Sequence, residues 1–156
     1  MDNQVFKKAM SRFPSGVVIV TTISSSGKKH GFTASAFSSL SLDPPLILVC
    51  LANTADCFEP FVTCDKFAVN VIGHQQHELA FKFATKGVDK FDGGEFDDGK
   101  SGLPIISNSI FTLECNIKDT YPGGDHEILV GEVQHATVNE GTPSIWYEGN
   151  FRDINC

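Results

Sequence analysis

Tryptophan, tyrosine and methionine are scarce, at one, two and two residues in a chain of 156. Thirteen phenylalanines carry most of the aromatic content, and their rings are expected to pack inside the protein. Basic residues are also few: twelve Lys and Arg stand against nineteen Asp and Glu, a net charge of −7. The densest basic pair is Lys28-Lys29. Phosphate-dense nucleic acid is bound through clustered cations, so neither nucleic acid nor an anionic membrane is expected as a partner. No apolar run approaches the ~18 residues of a spanning helix. The longest, Leu46 to Ala52, has strand length. The first ten residues lack the apolar centre of a secretion signal, and the expected location is cytoplasmic.

No CxxC pair occurs among Cys50, Cys57, Cys64, Cys115 and Cys156, and the number is odd. Reduced, mostly buried thiols are expected rather than disulfides or a zinc site. G-x-S-x-G and G-x-G-x-x-G are both absent. Gly94 to Ser101 does match G-x-x-x-x-G-K-[ST], but a phosphate loop needs a buried strand before it and a helix after it. Gly102 and Pro104 follow here, and Glu95, Asp97 and Asp98 would face the phosphates. The match is read as accidental. His74-x-x-His77-Glu78 could present metal ligands one helical turn apart, but no further ligand accompanies it, and it is read as a solvated helix start.

With 41% hydrophobic and 20% charged residues, the chain reads as one globular domain over residues 1–156. Apolar residues at Val5, Phe6, Ala9, Met10 and Phe13 predict a helix that stops at Pro14. Strands are predicted over Gly16–Ile23, His30–Ser39, Leu46–Leu51, Lys66–Ile72, Ile110–Asp119, His126–Val138 and Pro143–Tyr147. Short helices are predicted over Asp56–Thr63 and Gln75–Ala84, and a long surface loop over Thr85–Gly102. Six or more strands without regular βαβ alternation indicate an antiparallel barrel or sandwich.

Two segments are unusual. In Gly31 to Ser41, five of eleven residues carry hydroxyls between small neighbours. Such a strand lets a flat ligand approach the backbone, or it simply faces water. Gly123-Gly124-Asp125-His126 places an imidazole at the start of a strand, either as a ligand contact or as a solvated turn residue.

Together with Phe13-Pro14-Ser15-Gly16-Val17, Ser39-Leu40-Ser41-Leu42-Asp43-Pro44-Pro45-Leu46, Phe67-Ala68-Val69-Asn70-Val71 and Gly131, these segments resemble the flavin reductase-like family of the FMN-binding split-barrel fold. That family contains the short flavin:NAD(P)H reductases of two-component monooxygenases. The resemblance implies a mainly β protein, a six-stranded antiparallel split barrel (Greek-key) with peripheral short helices, assembled as a homodimer. It implies FMN or FAD as cofactor, NAD(P)H as electron donor, and a monooxygenase or redox protein as partner. Position by position it implies that Thr33, Ala34 and Ser35 line the flavin ring and that Ser38 and Ser39 meet its ribityl or phosphate end. Leu51, Ala52, Asn53 and Thr54 match a second flavin loop. Phe83, Ala84, Lys90 and Phe91 match a third contact region, and Trp146 and Tyr147 the closing segment. His126 matches the residue beside the nicotinamide and is the catalytic candidate. Relatives often carry basic residues after Leu51 where this chain has neutral Ala52 and Asn53, which leaves FMN and FAD open. The implied activity is hydride transfer from nicotinamide to flavin, with the chemistry carried by the cofactors. A flavin-holding electron carrier that does not use nicotinamide is the alternative.

Overall fold

The β-branched run after Pro14 becomes the most buried strand of the protein. A computed structural model describes residues 1–154, so Cys156 lies outside the described residues. In chain order the elements are α1 (Asn3–Ser11), β1 (Ser15–Gly16), β2 (Val18–Ile23), β3 (Lys29–Ala34), β4 (Phe37–Ser41), β5 (Leu46–Ala52), α2 (Phe58–Val62) and β6 (Lys66–Val71). A 3₁₀ turn (His74–Gln76), α3 (His77–Ala84), β7 (Phe96–Asp98), β8 (Pro104–Ile106), β9 (Phe111–Gly123), β10 (His126–Val138), β11 (Ser144–Tyr147) and β12 (Asn150–Asp153) follow.

Seven strands, not six, join one antiparallel sheet in the order β3-β2-β6-β9-β10-β5-β4. The extra strand arises where His30–Ser39 is expected to run unbroken. The ladder stops at Ala34 and restarts at Phe37, leaving Ser35-Ala36 between two edge strands. β3 pairs only with β2 and β4 only with β5 among the described residues, so consecutive strands close opposite ends of the sheet. The chain end also holds one more strand than expected. β12 pairs with β11, and β11 with β1, in a separate three-stranded sheet.

β2 is apolar on both sides because both of its faces are covered. Val18 and Val20 point into the core with Phe32, Phe61, Phe67, Val49 and Leu129. Ile19 points the other way, into a second cluster with Val17, Ile72, Ala80 and Phe83 under α3. Gly31 permits this close approach of α3: a Cβ there would lie 2.5 Å from the Phe83 ring. Asn70 ties the layers together. Its amide donates to the Ile19 carbonyl at 3.0 Å, and its Oδ1 accepts from the Ile106 N–H at 3.0 Å.

The Thr85–Gly102 segment is more structured than a surface loop. Phe91 and Phe96 pack their rings against Phe83, Lys90 is buried, and β7 pairs with β8. Two rings spaced among charges and glycines leave no strand or helix period, which hid this packing. The phosphate-loop look-alike spans β7 and enters the turn of the β7–β8 hairpin. Its N–H groups are held by a protein carboxylate: Lys100 N and Ser101 N donate to the two oxygens of buried Glu114 at 2.9 and 2.6 Å. A Cβ on Gly99 would sit 2.7 Å from the same carboxylate.

The described cysteines are free. Cys57 and Cys115 are buried, and burial pushes their thiols up to about 11 and about 12. No described helix is long and apolar enough to cross a membrane. The helical period of α1 is real, but the protomer does not cover it: none of its residues is buried, and Val5, Phe6, Met10 and the following Phe13 are exposed.

Candidate functional site

The break at Ser35-Ala36 opens a cleft between the two ends of the sheet. Small residues form one wall, Thr33, Ala34, Ser35 and Ala36. The C-terminal end of β5 and the turn after it form the other, with Cys50, Leu51, Ala52 and Thr54. The end of α3 adds Phe83 and Ala84, and Lys86 and Lys90 follow from the packed segment. His126, the first residue of β10, enters beside Ala52, its register partner on β5. The cleft encloses about 280 Å³. An apolar hollow of about 170 Å³ adjoins it, sharing Thr33, Ala34, Ser35 and Ala84 and adding Phe81, Trp146 and Phe151.

Eleven of the sixteen residues named for the site therefore line these two spaces: Thr33, Ala34, Ser35, Leu51, Ala52, Thr54, Phe83, Ala84, Lys90, His126 and Trp146. The other five lie outside them. Ser38 and Ser39 are exposed on β4, and the Ser38 hydroxyl donates to the Ser39 carbonyl. Asn53 donates to the Gly124 carbonyl at 3.3 Å, joining the loop after β5 to the turn before His126. Phe91 packs against Phe83 and Phe96. Tyr147 sits half-buried on β11, paired with Asn150. The hydroxyls themselves do less than their number suggests. Thr33 spends its proton on the Ala80 carbonyl at 2.6 Å, fastening β3 to α3.

Two lysines line the cleft, Lys90 as the resemblance implies and Lys86 in addition. Lys90 Nζ donates to the Gly31 carbonyl at 3.0 Å and pairs with Asp56 at 2.9 Å, its side chain only 10% exposed. Burial pushes the Asp56 carboxyl up. The hydrogen bonds from Lys90 and the Gly87 N–H, with the Lys90 charge, outweigh this and hold it below the usual carboxylate range. Lys86 Nζ reaches across to the Thr54 carbonyl at 2.6 Å. Burial raises the Cys50 thiol above its ordinary value. His126 Nδ1 lies 2.7 Å from Asp125 Oδ1, and that hydrogen bond holds the Asp125 carboxyl low. That contact engages Nδ1, and Nε2 has no hydrogen-bond partner among the described residues.

Lys86, Asp56 and Cys50 were absent from the sequence reading of the site. Cys50 and Asp56 come near Ser35 and Lys90 only through the tertiary fold. A lysine two residues beyond Phe83-Ala84 was the one available signal for Lys86.

A larger hollow of about 700 Å³ lies between the 3₁₀ turn, α3 and the Asn108 and Gly141 loops. Glu78, Asp92, Glu95 and Glu140 line it, a poor match for a phosphorylated ligand. His77 is engaged elsewhere, stacked on Phe151 at 3.9 Å with Nε2 2.6 Å from the Ser144 hydroxyl. The described residues contain no cluster of three or more His, Cys, Asp or Glu able to hold a metal.

The donor set of the cleft suits a flavin. Walls of small residues admit a planar ring, and the same lining carries hydroxyls, an imidazole and two lysines. Comparison with known proteins points to the same class of ligand, a flavin. The family profile described as "Flavin reductase like domain" matches residues 10–155. The chain is 44% identical over 151 residues to the actinorhodin polyketide dimerase of Streptomyces coelicolor, covering 96% of this chain and 85% of that one. It is 36% identical over 152 residues to the NADH:riboflavin 5'-phosphate oxidoreductase of Streptomyces pristinaespiralis, covering 95% and 86%. The solved NADH:FAD oxidoreductase of Streptomyces globisporus, in complex with NAD and FAD fragments, superposes with a TM-score of 0.92 at 35% identity, covering 98% and 93%.

Proposed function

The chain belongs to the flavin reductase-like domain family, and from that premise we propose that it is an NAD(P)H:flavin oxidoreductase supplying reduced flavin to a partner oxygenase. One observation carries the reading. The cleft at the sheet break combines walls of small residues with an imidazole, His126, and a lysine, Lys86, in one lining. Relatives named as reductase subunits of flavin-dependent monooxygenases, such as that of Rhodococcus jostii at 31% identity, support the oxygenase partner.

A flavin bound there supplies a ring that accepts hydride from reduced nicotinamide, chemistry that belongs to the cofactors. The chain's own task is to hold and orient. Ala34, Ser35, Ala36 and Ala84 leave a flat slot, since none carries more than two heavy side-chain atoms. Leu51 is buried beneath and excludes water from that wall. Asp125 fixes the His126 ring through Nδ1, so Nε2 can contact the carboxamide of a nicotinamide, a positioning role that needs no strong base.

The split-barrel description suits an open sheet whose two edges flank the cleft. A homodimer completes the proposal. At about 280 Å³ the cleft is just below the ~300–1,000 Å³ of ligand sites, so a second wall from a partner copy would enclose a ring better. The uncovered Val5, Phe6, Met10 and Phe13 supply apolar surface for such a pairing. The test is to mix purified protein with NADH or NADPH and FMN or FAD under anaerobic conditions and follow the flavin absorbance. Bleaching that needs the protein supports the reading, and its absence with all four pairs overturns it. Light scattering that gives a monomer mass with flavin bound removes the dimer.

A further inference from the structure

We propose that Lys86 is the residue that selects phosphorylated flavins, by holding the ribityl phosphate common to FMN and FAD at the mouth of the cleft. This rests on the flavin reading above and names a determinant of which flavin the site takes. Two cations line the cleft, and their situations differ. Lys90 is committed: it is buried, paired with Asp56, and bonded to the Gly31 carbonyl. Its charge is balanced before any ligand arrives.

Lys86 is exposed, and its Nζ donates to a neutral partner, the Thr54 carbonyl at 2.6 Å. It makes no ion pair among the described residues. An ammonium has three donors, so this contact leaves two for a ligand. The stretch it spans, Ala52-Asn53-Thr54, contains no cation of its own. Lys86 thus brings a free positive charge to a neutral loop, beside the hydroxyl-bearing Thr54. A phosphate monoester carries about −1.5 to −2 charge near neutral pH. In a chain of net charge −7, such a ligand would otherwise meet repulsion on approach.

The test is a fluorescence titration of FMN and of riboflavin, which lacks the phosphate, against the parent protein, Lys86→Met and Lys86→Arg. Methionine keeps the length of the stem and removes the charge. The expected result is an FMN Kd about 5- to 20-fold weaker in Lys86→Met, within the range for an exposed charge-assisted hydrogen bond. Riboflavin should bind all three proteins alike, and Lys86→Arg should recover FMN binding. Added salt should weaken FMN binding to the parent more than to Lys86→Met. Equal losses for FMN and riboflavin, or no loss for either, overturn the inference while leaving the flavin site standing. A parent protein that binds neither flavin overturns the flavin reading, and the inference with it.

Discussion

Replacing Glu114 by glutamine should destabilise this protein, although the change is usually regarded as mild. Both carboxylate oxygens of Glu114 accept backbone N–H groups, from Lys100 at 2.9 Å and from Ser101 at 2.6 Å. A glutamine offers one oxygen and one NH₂. Whichever way the amide turns, a donor faces a donor, and one charge-assisted hydrogen bond is lost. Such bonds contribute about 1.5–3 kcal/mol each. For a domain of this size a loss of 1 kcal/mol lowers Tm by roughly 2–4 °C, so Glu114→Gln should melt about 3–12 °C below the parent. Differential scanning calorimetry at neutral pH reads this directly. Lys100→Ala is the control: the Lys100 N–H remains and its side chain is exposed, so its Tm should stay near the parent value. Flavin affinity should be unchanged in both, because the β7–β8 hairpin lies outside the cleft lining. If Glu114→Gln melts with the parent, the hairpin turn is not held by that carboxylate, and its resemblance to a phosphate loop would need another explanation.

Three further outcomes are expected. Ser35→Leu places a branched side chain in the flat slot, and fluorescence titration should show flavin affinity down about tenfold or more, the equivalent of ~1.4 kcal/mol. His126→Ala should raise KM for the nicotinamide or slow flavin reduction by about 2- to 13-fold, the worth of one neutral hydrogen bond, while flavin Kd stays constant. Stopped-flow reduction with parent-like KM and rate would move the nicotinamide contact elsewhere. Asp56 has its carboxyl held low in the folded state, so its contribution is present above the unfolded value near 4 and is lost as pH falls through the folded value. Asp56→Asn should therefore cost stability at pH 7, about 1–3 kcal/mol after allowing for its partial exposure, and the gap from the parent should shrink below about pH 4. Chemical denaturation at both pH values checks the sign.

Several elements were legible because local chemistry dictated them. The apolar period of α1, the β-branched run of β2, the Pro44-Pro45 boundary before β5 and the long strands around Gly123-Gly124 all come from side-chain spacing and backbone restriction. The seventh strand was hidden because Ser35 and Ala36 suit a strand or a break equally well, and their conformation follows from pairing on either side. β12 was hidden because Asn150 to Asp153 has little apolar alternation and is paired through β11. Buried Lys90 was unreadable as a core residue, since only the distant Asp56 and Gly31 make its burial tolerable.

The sequence by itself determined the antiparallel β class, the small-residue strand that makes a flat slot, and the imidazole at the head of β10. These depend on residue size, branching and turn chemistry within a few positions. Tertiary structure alone decided which groups face each other across the cleft. It turned the Thr33 hydroxyl away to Ala80, balanced Lys90 with Asp56, and set Lys86 against Thr54, 32 residues earlier in the chain. Charge compensation and hydrogen-bond pairing act through space, so no local pattern in the chain could announce them.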